Sequence, residues 1–253
     1  MNGDQGQVNK TLALYDGTPM AQWQLLLEPI GMHYHFAKAG AGPIFDNSLE
    51  ALRPWLQGHL LDLGCGFGGP AAYFDRAGYR VTCVSHSPSQ LDFVRSYVPK
   101  AQRLLMDLNH PSALPDADTA LMIESLSHLS TPEALLKSLP TQRLVAICHY
   151  SRTTSLFDPA WQMHFRSEKE LKDLLRSNGW YIEQFTNDMA EKAEITALYW
   201  RHQLDRLKFA ASSRHLQLLS DLADQILLDT RPFLAQFGLA TIVAKRAPLH
   251  QGR

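Results

Sequence analysis

The sequence predicts an α/β fold, a mostly parallel sheet with helices packed on both faces. Two observations predict it. The first is His59–Gly69, HLLDLGCGFGG, a short apolar run that ends abruptly in glycines. It reads as a buried strand entering a tight turn, with a helix after Pro70. The second is the pattern of the chain beyond Pro70. Short apolar runs alternate there with amphipathic stretches, the signature of strand–helix–strand crossovers.

Length and composition bound the possibilities. A chain of 253 residues, 45% of them hydrophobic, can fill one large core, with room for an insertion. A net charge of −1 gives no electrostatic footprint for nucleic acid or a membrane surface. No apolar run approaches the length of a membrane span. Cys65, Cys83 and Cys148 are too few and too scattered for a disulfide framework or a metal site, which points to a reducing, cytoplasmic setting.

The elements are read in chain order. Residues 1–10 form a polar, disordered tail, and 11–57 an N-terminal helical cover interrupted by Gly17–Pro19 and by the loop at Gly40–Gly42. Strands are expected at His59–Leu63, Arg80–Val84, Arg103–Met106, Asp118–Ile123, Arg143–His149 and Trp180–Thr186. Helices are expected at Ala71–Ala77, from Pro88 with Ser87 as cap, at Glu133–Leu139, and from Trp161–Phe165 and Ser167 onward to Asn178-Gly179. The core thus spans 58–190. Residues 191–234 form a helical lid, breaking near Ala210–Ser213, and 235–247 hold the final strand, LATIVAK, before a frayed tail.

Gly64-x-Gly66-x-x-Gly69 also fits the dinucleotide fingerprint, but its context argues otherwise. Asp62, two residues before the first glycine, suits a ligand bearing an ammonium and a sulfonium better than a pyrophosphate. About twenty residues on, where a dinucleotide fold wants an acid for the ribose, the chain has Ser85 in VSHSPSQ. The string resembles motif I of the class I S-adenosylmethionine (SAM)-dependent methyltransferases. Tyr15-Asp16, the GxHYxF string at Gly31–Phe36, VSHSPSQ, Asp107 and ESLSHL at Glu124–Leu129 extend the resemblance to the small-molecule subgroup of tocopherol-, sterol- and phosphobase-type enzymes. The Pro-Gly-Gly usual before the fifth strand is absent, replaced by Leu139-Pro140-Thr141-Gln142.

The resemblance implies a Rossmann-like seven-stranded mixed sheet and SAM as cofactor, with S-adenosylhomocysteine (SAH) as product. It implies cofactor contacts from Tyr15, Asp62, Gly64, Cys65, Gly66, Ser85, Gln90, Asp107, Leu108 and Glu124. His33, Tyr34 and Asp188 face the substrate on the same basis. His128, Glu124 and Tyr34 are the catalytic candidates, since an imidazole at the sheet crevice can take a proton from an attacking hydroxyl or amine. Bland readings stand beside these: Ser87 as cap alone, Asp107 as a turn former, Glu124 as a cap, and His128 and Tyr34 as interior packing. The implied function is methyl transfer to an O, N or C nucleophile of a small metabolite, in specialised metabolism. A SAM-consuming cyclase or lyase that releases methylthioadenosine, and a non-catalytic SAM-binding protein, remain alternatives. The sequence is silent on oligomeric state and leaves a homodimer open.

Overall fold

The computed structural model describes residues 23, 24, 27, 46–207 and 214–247. The expected tail at 1–10, most of the cover at 11–57 with Tyr15, His33 and Tyr34, the break near 210–213 and the end after Pro248 lie outside the described residues.

The order in the chain is α1 (Asp46–Glu50), β1 (His59–Leu63), α2 (Gly69–Arg76), β2 (Arg80–Ser85), α3 (Pro88–Tyr97), β3 (Gln102–Leu105) and β4 (Thr119–Ile123). Then come a 3₁₀ turn at Leu126–His128, α4 (Pro132–Ser138), β5 (Arg143–Ser151), β6 (Leu156–Asp158), β7 (Met163–Phe165), α5 (Glu168–Ser177) and β8 (Trp180–Asn187). Three helices, α6 (Met189–Leu207), α7 (Arg214–Leu228) and α8 (Thr230–Gln236), precede the last strand, β9 (Phe237–Arg246).

The main sheet has seven strands in the order β3-β2-β1-β4-β5-β9-β8. The pairs β2–β3, β1–β2, β1–β4 and β4–β5 are parallel. The strand β9 lies antiparallel to both β5 and β8, which makes the sheet mixed. The order reverses at β1, whose neighbours β2 and β4 carry the chain in opposite directions across the sheet. In an open α/β sheet, ligands bind outside the strand carboxyl ends at that switch point.

Alternation along each strand sorts its side chains onto two cores. Leu60, Val81, Leu121, Val145, Ile147 and Leu239 belong to one, with Trp23, Phe74, Trp200 and Leu219. Leu61, Leu63, Met122, Leu144, Ala146 and Ile242 belong to the other, with Leu135, Leu171, Leu175 and Trp180. All five residues of β1 are buried, as expected of a central strand covered on both faces.

The expected strands appear within one or two residues of their predicted ends, and Ser87 and Ser167 cap α3 and α5 through bonds from the Gln90 and Glu170 amides. One expectation fails. Residues 161–165 do not lead into α5; Met163–Phe165 pairs antiparallel with Leu156–Asp158 as a small separate sheet. The Asp158 carboxylate accepts from the Ala160 and Trp161 amides and folds the connecting turn. Three-residue strands carry too little periodicity to be read from sequence.

Where β9 meets β5, Gly238 faces Tyr150, and a Cβ there would lie 2.3 Å from the ring. Tyr150 is almost fully buried and cannot swing aside. Gly238→Ala is expected to destabilise the fold by about 1–3 kcal/mol. Equilibrium urea unfolding checks this; an unchanged midpoint would contradict the packing described.

Candidate functional site

Where β1 ends, the chain must turn sharply while staying against β4. Gly64 takes φ +82°, and a Cβ there would stand 2.4 Å from that of Ser125. The Ser125 hydroxyl donates to the Leu63 carbonyl at this contact. Gly66, also at positive φ, has none of the described residues within 4 Å of where a Cβ would sit, which leaves its backbone accessible on that side among them.

A cavity of about 610 Å³ opens above these strand ends, a usual size for a small-molecule site. It brings together Asp62, Gly64, Cys65, Gly66, Ser85, Gln90, Asp107, Leu108, Glu124 and His128, ten of the residues singled out from sequence. Asp188 does not line it. Its carboxylate accepts from Thr241 Oγ1 at 2.8 Å and pairs with Lys192 at 3.4 Å, joining the root of α6 to β9.

Asp62 sits at 1% exposure on a central strand, and neither carboxylate oxygen has a hydrogen-bond partner among the described residues. Burial alone lifts its pKa from 3.8 to about 7, because an isolated carboxylate is costly to desolvate. At the end of β2, the Ser85 hydroxyl donates to Gln90 Oε1 at 2.8 Å and accepts from the Ser87 amide at 3.0 Å. Its proton is therefore committed, and the Gln90 amide is left as the donor at this edge of the cavity. Asp107 both lines the cavity and makes the turn, accepting from the Asn109 amide at 2.9 Å.

Glu124 holds a left-handed backbone, φ +58°, with its amide donating to the Ile147 carbonyl at 2.6 Å. Such a conformation in a non-glycine residue costs of order 1–3 kcal/mol and concentrates at functional sites. The following 3₁₀ turn carries His128, whose Nδ1 lies 3.2 Å from the Gln162 carbonyl. A carbonyl can only accept, so the proton is on Nδ1 and Nε2 carries the basic lone pair. Burial, with His86 and His164 nearby, presses the His128 pKa down to about 4. His149, at the end of β5, has Nε2 3.7 Å from Glu124 and is pressed to about 3, chiefly by burial.

Sequence reasoning missed His86, His149 and Asn109. His149 was legible: it stands at the carboxyl end of a predicted strand, where the crevice must be. Asn109 Oδ1 accepts from the Ser130 and Thr131 amides and so ties the β3 and β4 loops together, a long-range contact with no local trace. The outer walls were also missed. Trp161, Met163 and Phe165 come from the small second sheet, and Trp200, Leu222, Phe233 and Phe237 from the helices before β9 and its first residue.

Residues 61–141 match the family described as methyltransferase domain, and SAM is the cofactor that this match implies. None of the curated proteins matches this sequence. Among solved structures, the cyclopropane synthase MmaA2 from Mycobacterium tuberculosis is similar with a TM-score of 0.78 and 14% identity, over 94% of this chain and 98% of that one. Coclaurine N-methyltransferase, solved with N-methylheliamine and SAH, has a TM-score of 0.73 and 14% identity over 97% of this chain and 88% of its own. The [4+2]-cyclase SpnF has a TM-score of 0.70 and 17% identity over 90% and 96%. These likenesses show a shared fold along nearly the whole chain.

The buried groups set opposing pH dependences in the ligand-free protein. Asp62 stays protonated in the fold up to about pH 7 but ionises near 3.8 when unfolded, so its stabilising contribution is full below about pH 4 and lost as pH rises through 7. His128 and His149 stay neutral in the fold, so theirs is present above about pH 6.5 and lost as pH falls toward 4 and 3. Asp62→Asn is expected to raise stability at pH 8 by about 1–2 kcal/mol and to remove the decline between pH 4 and 7. Urea midpoints across pH 4.5–8 check this; a parallel pH profile in the variant would contradict it.

Proposed function

We propose that this chain, built on the class I SAM-dependent methyltransferase fold, moves the SAM methyl group to an O, N or C nucleophile of a small, partly apolar metabolite of specialised metabolism. The observation that carries the reading is the buried Asp62 carboxylate, without a hydrogen-bond partner among the described residues, at one end of a cavity that continues past Glu124 and His128 to aromatic walls.

The residues present fit SAM. Asp62 would hold the ammonium, a charge that would also relieve its own desolvation. Gln90, positioned by Ser85, would take the ribose hydroxyls; Asp107 and the Leu108 backbone would take the adenine. The open face of Gly66 leaves room for the methionine portion. When bound, SAM supplies a methyl group already activated on a sulfonium. The chain's own task is to align the nucleophile and exclude water. Glu124 would lie near the sulfonium. His128 Nε2 is placed to accept a proton from a hydroxyl or amine, and the His128 Nδ1–H bond to Gln162 holds the ring in that tautomer. The helices of 191–234 would act as a lid, with Trp200 and Leu222 on its inner face, and the N-terminal cover with Tyr15, His33 and Tyr34 would complete the enclosure. Three free, buried cysteines accord with a reducing, cytoplasmic compartment.

Incubation with SAM alone, and with SAM plus a metabolite extract, followed by mass spectrometry of the nucleosides, tests this. Extract-dependent SAH with a +CH₂ product supports methyl transfer. Methylthioadenosine from SAM alone would overturn it in favour of a cyclase or lyase on the same fold, and binding without turnover in favour of a non-catalytic protein. Once an acceptor is in hand, His128→Ala is expected to lower kcat about 100-fold while SAM affinity, read by calorimetry, changes less than threefold. Asp62→Ala is expected to weaken SAM binding at least tenfold.

A further inference from the structure

His128, the proton acceptor of the proposed mechanism, is held from two sides. The 3₁₀ turn that carries it rests on the main sheet. The Ser125 hydroxyl donates to the Leu63 carbonyl of β1, and the Ser127 hydroxyl donates to the His149 carbonyl of β5 at 3.2 Å. The ring itself is met by the small second sheet. His128 Nδ1 donates to the Gln162 carbonyl, just before β7, at 3.2 Å. The Arg166 guanidinium, just after β7, donates to the Leu129 carbonyl at 2.8 Å. Neighbouring residues of the turn are thus tied to the two ends of one strand. The Arg166 carbonyl in turn accepts from the Ser151 amide at 2.8 Å, which fixes that end of β7 to β5.

The Gln162 carbonyl is placed by the short loop between β6 and β7, which Asp158 and Met163 close as a pair. Gln162, the last residue of that loop, is buried and holds φ +53°. Glycine takes this conformation freely and other residues rarely do. Non-glycine residues held there concentrate at functional sites. Two sets of bonds close the loop around it. Asp158 Oδ1 accepts from the Ala160 amide at 2.8 Å and from the Trp161 amide at 3.2 Å. The Gln162 side-chain amide donates to the Pro159 carbonyl at 2.5 Å. A carboxylate that folds a loop in this way also sets the direction of the carbonyl at the loop's end, here the one that faces His128.

From the bond between Gln162 and His128, and the cap that Asp158 places on the same loop, we propose that the β6–β7 hairpin is a positioning device for proton transfer, with Asp158 as its positioning residue. The inference rests on the methyltransferase reading with His128 as base, and deepens it. A ring nitrogen that faces a carbonyl carries the proton, so the hairpin selects the Nδ1–H tautomer and makes Nε2 the basic atom of the ring. As the lone pair of a hydroxyl or neutral amine forms its bond to the methyl carbon, the S–C bond breaks with its pair left on sulfur. The proton of the nucleophile passes to Nε2. The imidazolium so formed keeps its Nδ1–H on the Gln162 carbonyl, a bond that favours the charged ring. In the opposite tautomer Nε2 would already hold a proton and could take no other. Asp158 acts through the loop, not on the reacting atoms.

The tautomer can be read without cofactor or acceptor. Nitrogen-15 NMR of the histidine-labelled full chain at pH 7.5, assigned through His128→Ala, is expected to show His128 as the Nδ1–H form alone. Asp158→Ala is expected to raise the Nε2–H form to about a third or more, and Asp158→Asn, whose side-chain oxygen can still cap the loop, to restore Nδ1–H. A second pair of variants separates the backbone from the side chain. Gln162→Gly accepts the same φ and is expected to keep the tautomer, whereas Gln162→Val resists that φ and is expected to lose it. In the incubation with SAM and metabolite extract, Asp158→Ala is expected to form SAH about tenfold more slowly than the wild type, and Asp158→Asn to come within about twofold of it. A wild-type spectrum in folded Asp158→Ala or Gln162→Val overturns the proposal. So does a wild-type rate of SAH formation in a variant whose tautomer has changed. Absence of SAH from the wild-type incubation would instead overturn the methyltransferase reading, an outcome distinct from anything in the tautomer spectra.

Discussion

A carboxylate without a hydrogen-bond partner, buried in the middle of a sheet, is the constraint around which this site is built. Asp62 occupies a position where alternation calls for an apolar side chain, on the same face as Leu60. No hydrogen bond among the described residues relieves it, and its proton is retained to about pH 7. A fold tolerates such a group where a ligand compensates it, and here the compensation must be cationic. The glycine turn after β1 answers the same need. The backbone has to leave the strand without placing a side chain between Asp62 and the cavity, and Gly64 and Gly66 do so at positive φ.

The rest of the site is arranged outward from that point. The topological switch at β1 sets the ends of β2, β4 and β5 around one crevice, so Gln90, Glu124, His128 and His149 converge although they come from distant parts of the sequence. Positive φ at Glu124 and the close seating of Ser125 on Leu63 rigidify the turn that carries His128. Beyond it the lining becomes apolar and aromatic, contributed by the small β6–β7 sheet and the helices before β9. Most of the polar groups of the lining are thus near the sheet, and most of the aromatic ones lie farther out.

How much of this the sequence disclosed depends on the range of the interactions. Strands and caps are local: the apolar run ending at Leu63, Ser87 before Pro88 and Ser167 before Glu168 were legible because neighbouring residues decide them. The sheet crevice was legible by topology, which placed Glu124 and His128 at a strand end. The neutral state of His128 and His149 was not, since it arises from burial and from groups far along the chain. The contacts of Asp188 with Lys192 one turn on and with Thr241 on β9 were not legible either, since the second joins residues far apart in the chain. The β6–β7 pair escaped notice because it is too short to have a period.

The central claim, that Asp62 is a carboxyl held neutral by burial until a cationic ligand arrives, is most directly tested by its own titration. Carbon-13 NMR of aspartate-labelled protein, assigned through Asp62→Asn, follows that carboxyl with and without saturating SAM. The expected result is a transition near pH 7 in the ligand-free protein and an ionised carboxylate across pH 5–8 in the complex. A carboxylate already ionised at pH 5 without ligand, or one whose titration SAM leaves unmoved, would contradict it.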